Sequence, residues 1–268
     1  MGGMTTRTTP LDQAASRLAA AAHSGVPCPP VRDLIGNDGA AAYAVQQQGI
    51  AARTAAGARV VGRKIGLTSP VVRQQLGVDQ PDFGVLLDDM RYQDGAALPI
   101  GRLLQPRVEA EVAFVLGADL AQGPFDVATV AAAVDRVVAS LEIVDSRIAN
   151  WDITFADTVA DNASAGLFVL AAQDFPLDAV VPREVEMTMS LNGEVVSTGT
   201  GAASLGDPLA ALAWLATTAL ELGTPLATGD VVLSGALGPV VPVQAGDRVE
   251  ATITGLGTVS ASFAGEPA

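Results

Sequence analysis

The pattern of apolar and polar positions divides the chain into a helical opening and a β-rich remainder. Residues 10–23 (PLDQAASRLAAAAH) and 37–56 carry apolar residues at helical spacing and predict two alanine-rich helices. The proline-rich stretch SGVPCPPVRDLIG connects them. ARVVGRKIGLTS begins as a strand that Gly66 closes. SPVVRQQLGV predicts a short helix, with Ser69 as N-cap, Pro70 at the first helical position and Gly77 at its end. QPDFGVLLDDM reads as a loop leading into a strand, which places Asp82 in a turn.

Beyond residue 100 the period shortens. VEAEVAFVL predicts a strand, PFDVATVAAAVDRVVAS a helix and LEIVDSRI a strand again. EVEMTMSLNGEVVSTGTG alternates on both sides of Asn192-Gly193 and predicts a hairpin with a tight primed turn. DPLAALAWLATTALELG predicts a helix capped by Asp207, with Pro208 at its first position and Gly223 at its end. Short β segments between glycine turns fill the rest. Helices first and then many strands predict an α+β fold whose main body is a strongly curved sheet. No internal repeat is visible. TGTGAASLG follows a hairpin instead of opening a βαβ unit, which argues against dinucleotide binding.

Composition narrows the chemistry. Of 268 residues, 49% are apolar and 16% charged, enough for a substantial core and too few charges for disorder. No apolar run approaches the ~20 residues of a membrane span. The net charge of −14, with basic residues scattered, disfavours capture of nucleic acid or anionic membrane. The N-terminal MGGMTT fits the myristoylation pattern at Gly2 and Thr6, but no basic patch follows it, and no signal-peptide core is seen. A cytoplasmic location is the expectation. One cysteine, Cys28, excludes intrachain disulfides and cysteine zinc clusters; one histidine, His23, leaves little room for a histidine-based triad. Any catalysis rests on carboxylates, Lys, Arg, hydroxyls or a metal held by oxygen.

Four constellations could carry it. In VEAEVAFVL, Glu109 and Glu111 share a strand face with Ala113 and Val115, while Val108, Ala110, Val112, Phe114 and Leu116 form the other. Glu142 stands between Leu141 and Ile143 in a later strand. Three carboxylates in apolar strands need either exposure or a cation. Oxygen-only ligation suits Mg²⁺, Mn²⁺ or Ca²⁺. An exposed strand face with unrelated acids explains the same pattern. Lys64, ahead of Gly66, is the sole lysine in a chain that otherwise uses arginine. That suggests selection for a compact, titratable head, although GC-rich coding would have the same effect. Asp82, in QPDFG, reads as an ordinary turn aspartate. Residues 157–166 (DTVADNASAG) read as a loop of small polar residues able to offer hydroxyls and N–H groups.

These motifs also carry a resemblance. KIGLTS, LGVDQPDFGVLLDDM, VEAEVAFVL, LEIVDSRI, DNASAG and SGALGPVVPVQAGD follow one another as in the 2-keto-4-pentenoate (2-hydroxypenta-2,4-dienoate) hydratases of the fumarylacetoacetate hydrolase superfamily. The likeness runs from about residue 10 to 264. It implies a curved mixed β-sheet roll with a smaller helical N-terminal region: an α/β region over residues 1–100 and a catalytic β-roll over 101–268. It implies Mg²⁺ or Mn²⁺ at Glu109, Glu111 and Glu142, Lys64 and Asp82 as acid/base or orienting residues, and Ser164 and Leu67 against the substrate. The implied reaction adds water to 2-hydroxypenta-2,4-dienoate to give 4-hydroxy-2-oxopentanoate, in meta-cleavage catabolism of aromatic or steroid compounds. A ring-shaped homo-oligomer, and a possible complex with a downstream aldolase, belong to the same expectation. Arg63 departs from the pattern, since many relatives carry an aromatic or apolar residue there, and is expected to alter the pocket edge.

Three alternatives stand beside the hydratase. One is the sister activity, 2-oxo-3-hexenedioate (4-oxalocrotonate) decarboxylase, although QPDFG looks more like the hydratases. A hydrolase of acylpyruvates would want a His-Glu pair, for which only His23 is available. A non-catalytic scaffold subunit would need no metal.

Overall fold

The computed structural model describes residues 8–69 and 80–265. The short helix expected after Ser69 lies outside the described residues. The two N-terminal helices form as predicted, over Pro10–Ser24 and Gly39–Ala55. The first starts with a capping box, in which Thr9 Oγ1 accepts from the Asp12 N–H and the Asp12 carboxylate accepts from the Thr9 N–H. Gly25, at φ 70°, ends it. Among the described residues no helix is long and apolar enough to cross a membrane.

The strands among the described residues are β1 (Val60–Gly66), β2 (Asp82–Leu87), β3 (Arg91–Gln93), β4 (Ala97–Pro99), β5 (Arg107–Leu116), β6 (Val134–Val144), β7 (Ala165–Phe175), β8 (Glu186–Leu191), β9 (Glu194–Thr200), β10 (Val231–Leu233), β11 (Val241–Pro242), β12 (Arg248–Ile253) and β13 (Gly257–Ala264). The larger sheet has the order β2-β1-β10-β5-β6-β7-β3, with β11 also on β5. The smaller has the order β4-β13-β12-β8-β9. Strands from both sides of residue 100 therefore enter each sheet. The β8–β9 hairpin turns at Asn192 and Gly193, both at positive φ as a primed turn requires. The helix Pro208–Glu221 buries Leu212, Leu215, Ala216 and Ala219 in the core between the sheets.

Three expectations change. The helix expected over 124–140 is confined to Val127–Ala133, and the chain from Val134 onward is β6. Its residues face partners along the whole of β5, and this long-range ladder overrides the local helical spacing. Asp82 is not in a turn but is the first residue of β2, opposite Gly66. The expected loop at 157–166 is a buried helix, Phe155–Ala160, followed by a tight turn at 162–164.

Register fixes which face of β5 does what. Val108, Ala110, Val112, Phe114 and Leu116 enter the main core, together with Ala139, Leu141 and Ile143 of β6. The opposite face carries Glu109, Glu111 and Glu142, continuing into the apolar patch of Ala113, Val138, Phe168 and Leu233. A one-residue slip would push three carboxylates into the main core, at several kcal/mol for each unpaired charge, and would expose side chains worth roughly 1.5–3 kcal/mol apiece.

The N-terminal helices pack on this body through Ala42, Val45, Phe155 and Val159, and the segment between them is tied down by Asp157. Its buried carboxylate accepts from the N–H groups of Val31 and Arg32, from Arg32 Nη1 at 2.6 Å, and from the N–H and hydroxyl of Thr154. Burial opposes the charge, but the donors outweigh it and hold the Asp157 pKa below the usual carboxylate value. Asp157→Ala strands these donors. The expected loss is about 3 kcal/mol, read as a melting temperature lower by roughly 6–12 °C in a calorimetric scan. A change under about 2 °C would show that the layer is held by other contacts.

Candidate active site

The site is built on the central strands. Glu109 pairs directly with Glu142, and Glu111 with Ser140, so the antiparallel register places three carboxylates side by side on one face. A ligand oxygen from each of Glu109, Glu111 and Glu142 lies within 4.8 Å of the others. Glu111 and Glu142 are buried, while Glu109 opens toward a cavity. Glu111 Oε2 accepts the Gly235 N–H at 2.6 Å, but Glu111 Oε1 and Glu142 Oε2 have no hydrogen-bond donor. Such orphaned buried oxygens are costly unless something positive stands between them.

Among the described residues, Lys64 brings a positive charge into contact with the triad. Lys64 Nζ lies 3.1 Å from Glu142 Oε1, and both side chains are almost fully buried. Burial opposes the ammonium charge. Glu142, Glu109, Asp82 and Glu111 together outweigh burial and hold Lys64 protonated, above its usual pKa. One lysine does not neutralise three glutamates. Burial first, and then the negative charge of Glu142, pushes the Glu109 pKa up to about 8. Burial, Glu142 and Glu109 raise Glu111 well above the carboxylate range. The set therefore fits a hard divalent cation: three oxygen donors, orphaned lone pairs and a charge deficit.

Asp82 reaches the same spot from the strand edge. A side chain at Gly66, opposite it, would displace that carboxylate: a Cβ there would lie 2.1 Å from Asp82 Oδ1, with Lys64 Nζ 3.5 Å away. Burial pushes the Asp82 pKa up to about 6, Lys64 and the Thr158 hydroxyl pull it down, and Glu142 adds to the rise. The turn at 162–164 then closes the wall. Asn162, Ala163 and Ser164 all have positive φ. The Asn162 side chain pairs with the backbone of Val85, accepting its N–H and donating to its carbonyl. Gly84 leaves room for this turn, since a Cβ there would lie 2.4 Å from the Asn162 carbonyl oxygen. Ser164 Oγ is buried in the cavity wall without a hydrogen-bond partner.

The cavity, about 420 Å³, is lined by Lys64, Leu67, Asp82, Glu109, Thr158 and Ser164, and also by Arg107, Trp151, Ile153 and Val240. A larger cavity, about 560 Å³, lies between the N-terminal helices and the body, away from the carboxylates. The 420 Å³ cavity holds the chemistry, because the titratable cluster opens into it.

Residues 60–264 match the family model described as fumarylacetoacetate (FAA) hydrolase, C-terminal. A 2-keto-4-pentenoate hydratase of Burkholderia vietnamiensis is 52% identical over 250 residues, covering 93% of this chain and 95% of that protein. The chain belongs to this hydratase family, within the fumarylacetoacetate hydrolase superfamily. Another relative, the 2-hydroxyhexa-2,4-dienoate hydratase of Comamonas testosteroni, is 47% identical, covering 83% of this chain and 85% of that protein. Among solved structures, 4-oxalocrotonate decarboxylase from Pseudomonas putida G7, complexed with magnesium and adipate, matches with a TM-score of 0.92. It is 35% identical, with 98% of this chain and all of that chain covered. The curved-sheet α+β fold is the fold of this superfamily.

The candidate metal, catalytic and substrate residues gather here: Lys64, Leu67, Asp82, Glu109 and Ser164 line the cavity, with Glu111 and Glu142 beside them. Arg63 does not line the cavity. It is buried next to Lys64 and donates to the Gly62 carbonyl, so the expected change at the pocket edge does not arise from it. His23 is exposed in the last turn of the first helix. Thr158 falls within the 157–166 stretch expected to offer hydroxyls, whereas Gly235, Arg107 and Trp151 are not among the sequence candidates. Of these three, Arg107 carries a signal in the sequence, lying two residues before Glu109 on the same strand face.

The raised glutamates make metal-free stability depend on pH. A folded-state pKa above the unfolded value means that the folded protein keeps protons the unfolded chain has released. Stability without metal therefore falls as pH rises from about 4.5 toward 8. Chelator-treated protein is expected to melt lower at about pH 8 than at about pH 6. Mg²⁺ or Mn²⁺ should raise the melting temperature more at the higher pH. A melting temperature indifferent to both pH and cation would remove the metal reading.

Proposed function

We infer that the protein is a divalent-cation-dependent hydratase that converts 2-hydroxypenta-2,4-dienoate and water to 4-hydroxy-2-oxopentanoate. The observation that carries this reading is the carboxylate triad with orphaned oxygens, next to Lys64 and Asp82, in a chain about half identical to 2-keto-4-pentenoate hydratases. Glu109, Glu111 and Glu142 would hold the cation; magnesium, calcium and manganese each occur in structural relatives. Bound there, a cation supplies Lewis acidity, polarising the 2-oxo group of a chelating 2-oxo acid and favouring negative charge on its oxygen.

The protein's own groups move the protons. Ketonisation removes the proton from the 2-hydroxyl and places one on C5, giving the 3-en-2-one. Water then adds at C4, and a proton is delivered to C3. Asp82, with a pKa near 6, is matched to taking a proton from the attacking water and giving one back at neutral pH. Lys64, held protonated, supplies positive charge beside the developing enolate. Ser164 Oγ, unpartnered in the wall, offers a hydrogen bond to the substrate. Leu67, at φ 55°, shapes the wall where β1 ends. The product is a β-hydroxy ketone, suited to aldol cleavage. A homo-oligomer, and a complex with an aldolase that consumes the product, extend the same reading.

A decarboxylase reading draws on the structural likeness to 4-oxalocrotonate decarboxylase. The two activities separate in one assay. With Mg²⁺, loss of dienoate absorbance without CO₂ release is expected, and it should stop with EDTA. CO₂ released from 4-oxalocrotonate would favour the alternative. Asp82→Asn should lower kcat by roughly 10²–10⁴ and remove the acidic limb of the pH–rate profile near pH 6, where wild-type activity falls as Asp82 protonates. Retention of that limb in the variant would take the proton-transfer role from Asp82. Glu142→Gln should abolish both cation binding and turnover.

A further inference from the structure

One wall of the cavity carries a cation that the proton-transfer scheme does not use. Arg107 lines the cavity on the same face of β5 as Glu109, two residues and about 7 Å along the strand. Its guanidinium lies over the Trp151 ring, 4.4 Å from the centroid. Arg32 and Arg147 are paired with buried carboxylates, Asp157 and Asp161. The Arg107 side chain has no ion pair or hydrogen bond among the described residues.

Its support is built. Asn150 and Trp151, both at positive φ, form a tight turn held by Gln105. The Gln105 side chain donates to the carbonyls of Ser146 and Ile148 and accepts the Asn150 N–H at 2.7 Å. The Gln105 carbonyl accepts from Trp151 Nε1. The ring is thus fixed against β5 by the residue two before Arg107, and the guanidinium rests on a preorganised surface with its donors free. A planar fork of N–H donors beside a cavity matches a carboxylate.

We propose that Arg107, stacked on Trp151, binds a carboxylate of the 2-oxo acid in the cavity and is a specificity-determining residue. The proposal rests on the 2-oxo-acid reading of the site and extends it to a named anion contact. Two carboxylates fit it: the C1 carboxylate, or a second carboxylate at the far end of a longer substrate. Trp151 and Ile153 present apolar surface to the carbon chain alongside.

The test is binding of unreactive acids, pyruvate and 2-oxoadipate, to the Mg²⁺-loaded protein by calorimetry, for wild type, Arg107→Met and Arg107→Lys. Met keeps the packing on Trp151 and removes the charge. The expected result is roughly ten- to hundred-fold weaker binding in Arg107→Met, with a smaller loss in Arg107→Lys, while Mg²⁺ affinity and melting temperature stay at wild-type values. Weaker pyruvate binding places Arg107 on the C1 carboxylate. Weakening confined to 2-oxoadipate places it on the far carboxylate. Unchanged affinity for both acids overturns the proposal. Because no turnover is read, failure of the hydratase reading and failure of this contact register in different assays.

Discussion

The structure depends on the direct pairing of Glu109 with Glu142 across β5 and β6. Two acids placed opposite one another in central strands are the reverse of what a sheet needs for stability. They persist because the other face of the same strands is filled by the core, with Val108, Phe114, Leu141 and Ile143 buried there. The apolar face sets the register, and the register delivers the acids. The unfavourable arrangement is then eased from outside the two strands, by Lys64 from β1 and the Gly235 N–H. What charge remains uncompensated is what a divalent cation supplies. Stability and site construction are opposing consequences of one alignment.

The rest of the site follows from how closely backbones approach this pair. Gly66 admits the Asp82 carboxylate, Gly84 admits the turn at 162–164, and Gly235, at φ 101°, presents its N–H to Glu111 while packed on the Thr68 side chain. Each glycine stands where a Cβ would meet an atom of the site or its wall. The turn at 162–164 keeps three residues in the left-handed region, a strain that the Asn162–Val85 pairing and the Ser164 N–H bond to the Asp161 carbonyl help to hold. Its result is a buried hydroxyl, Ser164 Oγ, without a hydrogen-bond partner in the cavity wall.

The charge balance also explains the division between Lys64 and Asp82. Both are buried, but their surroundings move them differently. Four carboxylates keep the lysine charged, while burial brings the aspartate near neutrality. A fixed positive charge beside a carboxyl whose pKa lies near 6 suits the enol chemistry proposed above. Neither property is visible in a lysine before a glycine or an aspartate after a proline.

By itself the sequence determined the strand face that holds Glu109 and Glu111, the hairpin at Asn192-Gly193, the helix capped by Asp207, and the exclusion of intrachain disulfides and cysteine zinc clusters. These are local or period-two properties, so neighbouring residues suffice to state them. The ordered motifs supplied the candidate set of Lys64, Leu67, Asp82, Ser164 and the three glutamates. Only the tertiary structure decided that Glu142 lies opposite Glu109, because cross-strand register is a property of two segments and the core they share. It also turned residues after Ala133 from the expected helix into β6, moved Asp82 from a turn into a strand, and seated Arg107 on Trp151. Each depends on a partner far along the chain, and long-range pairing outweighs the local preferences that a sequence displays.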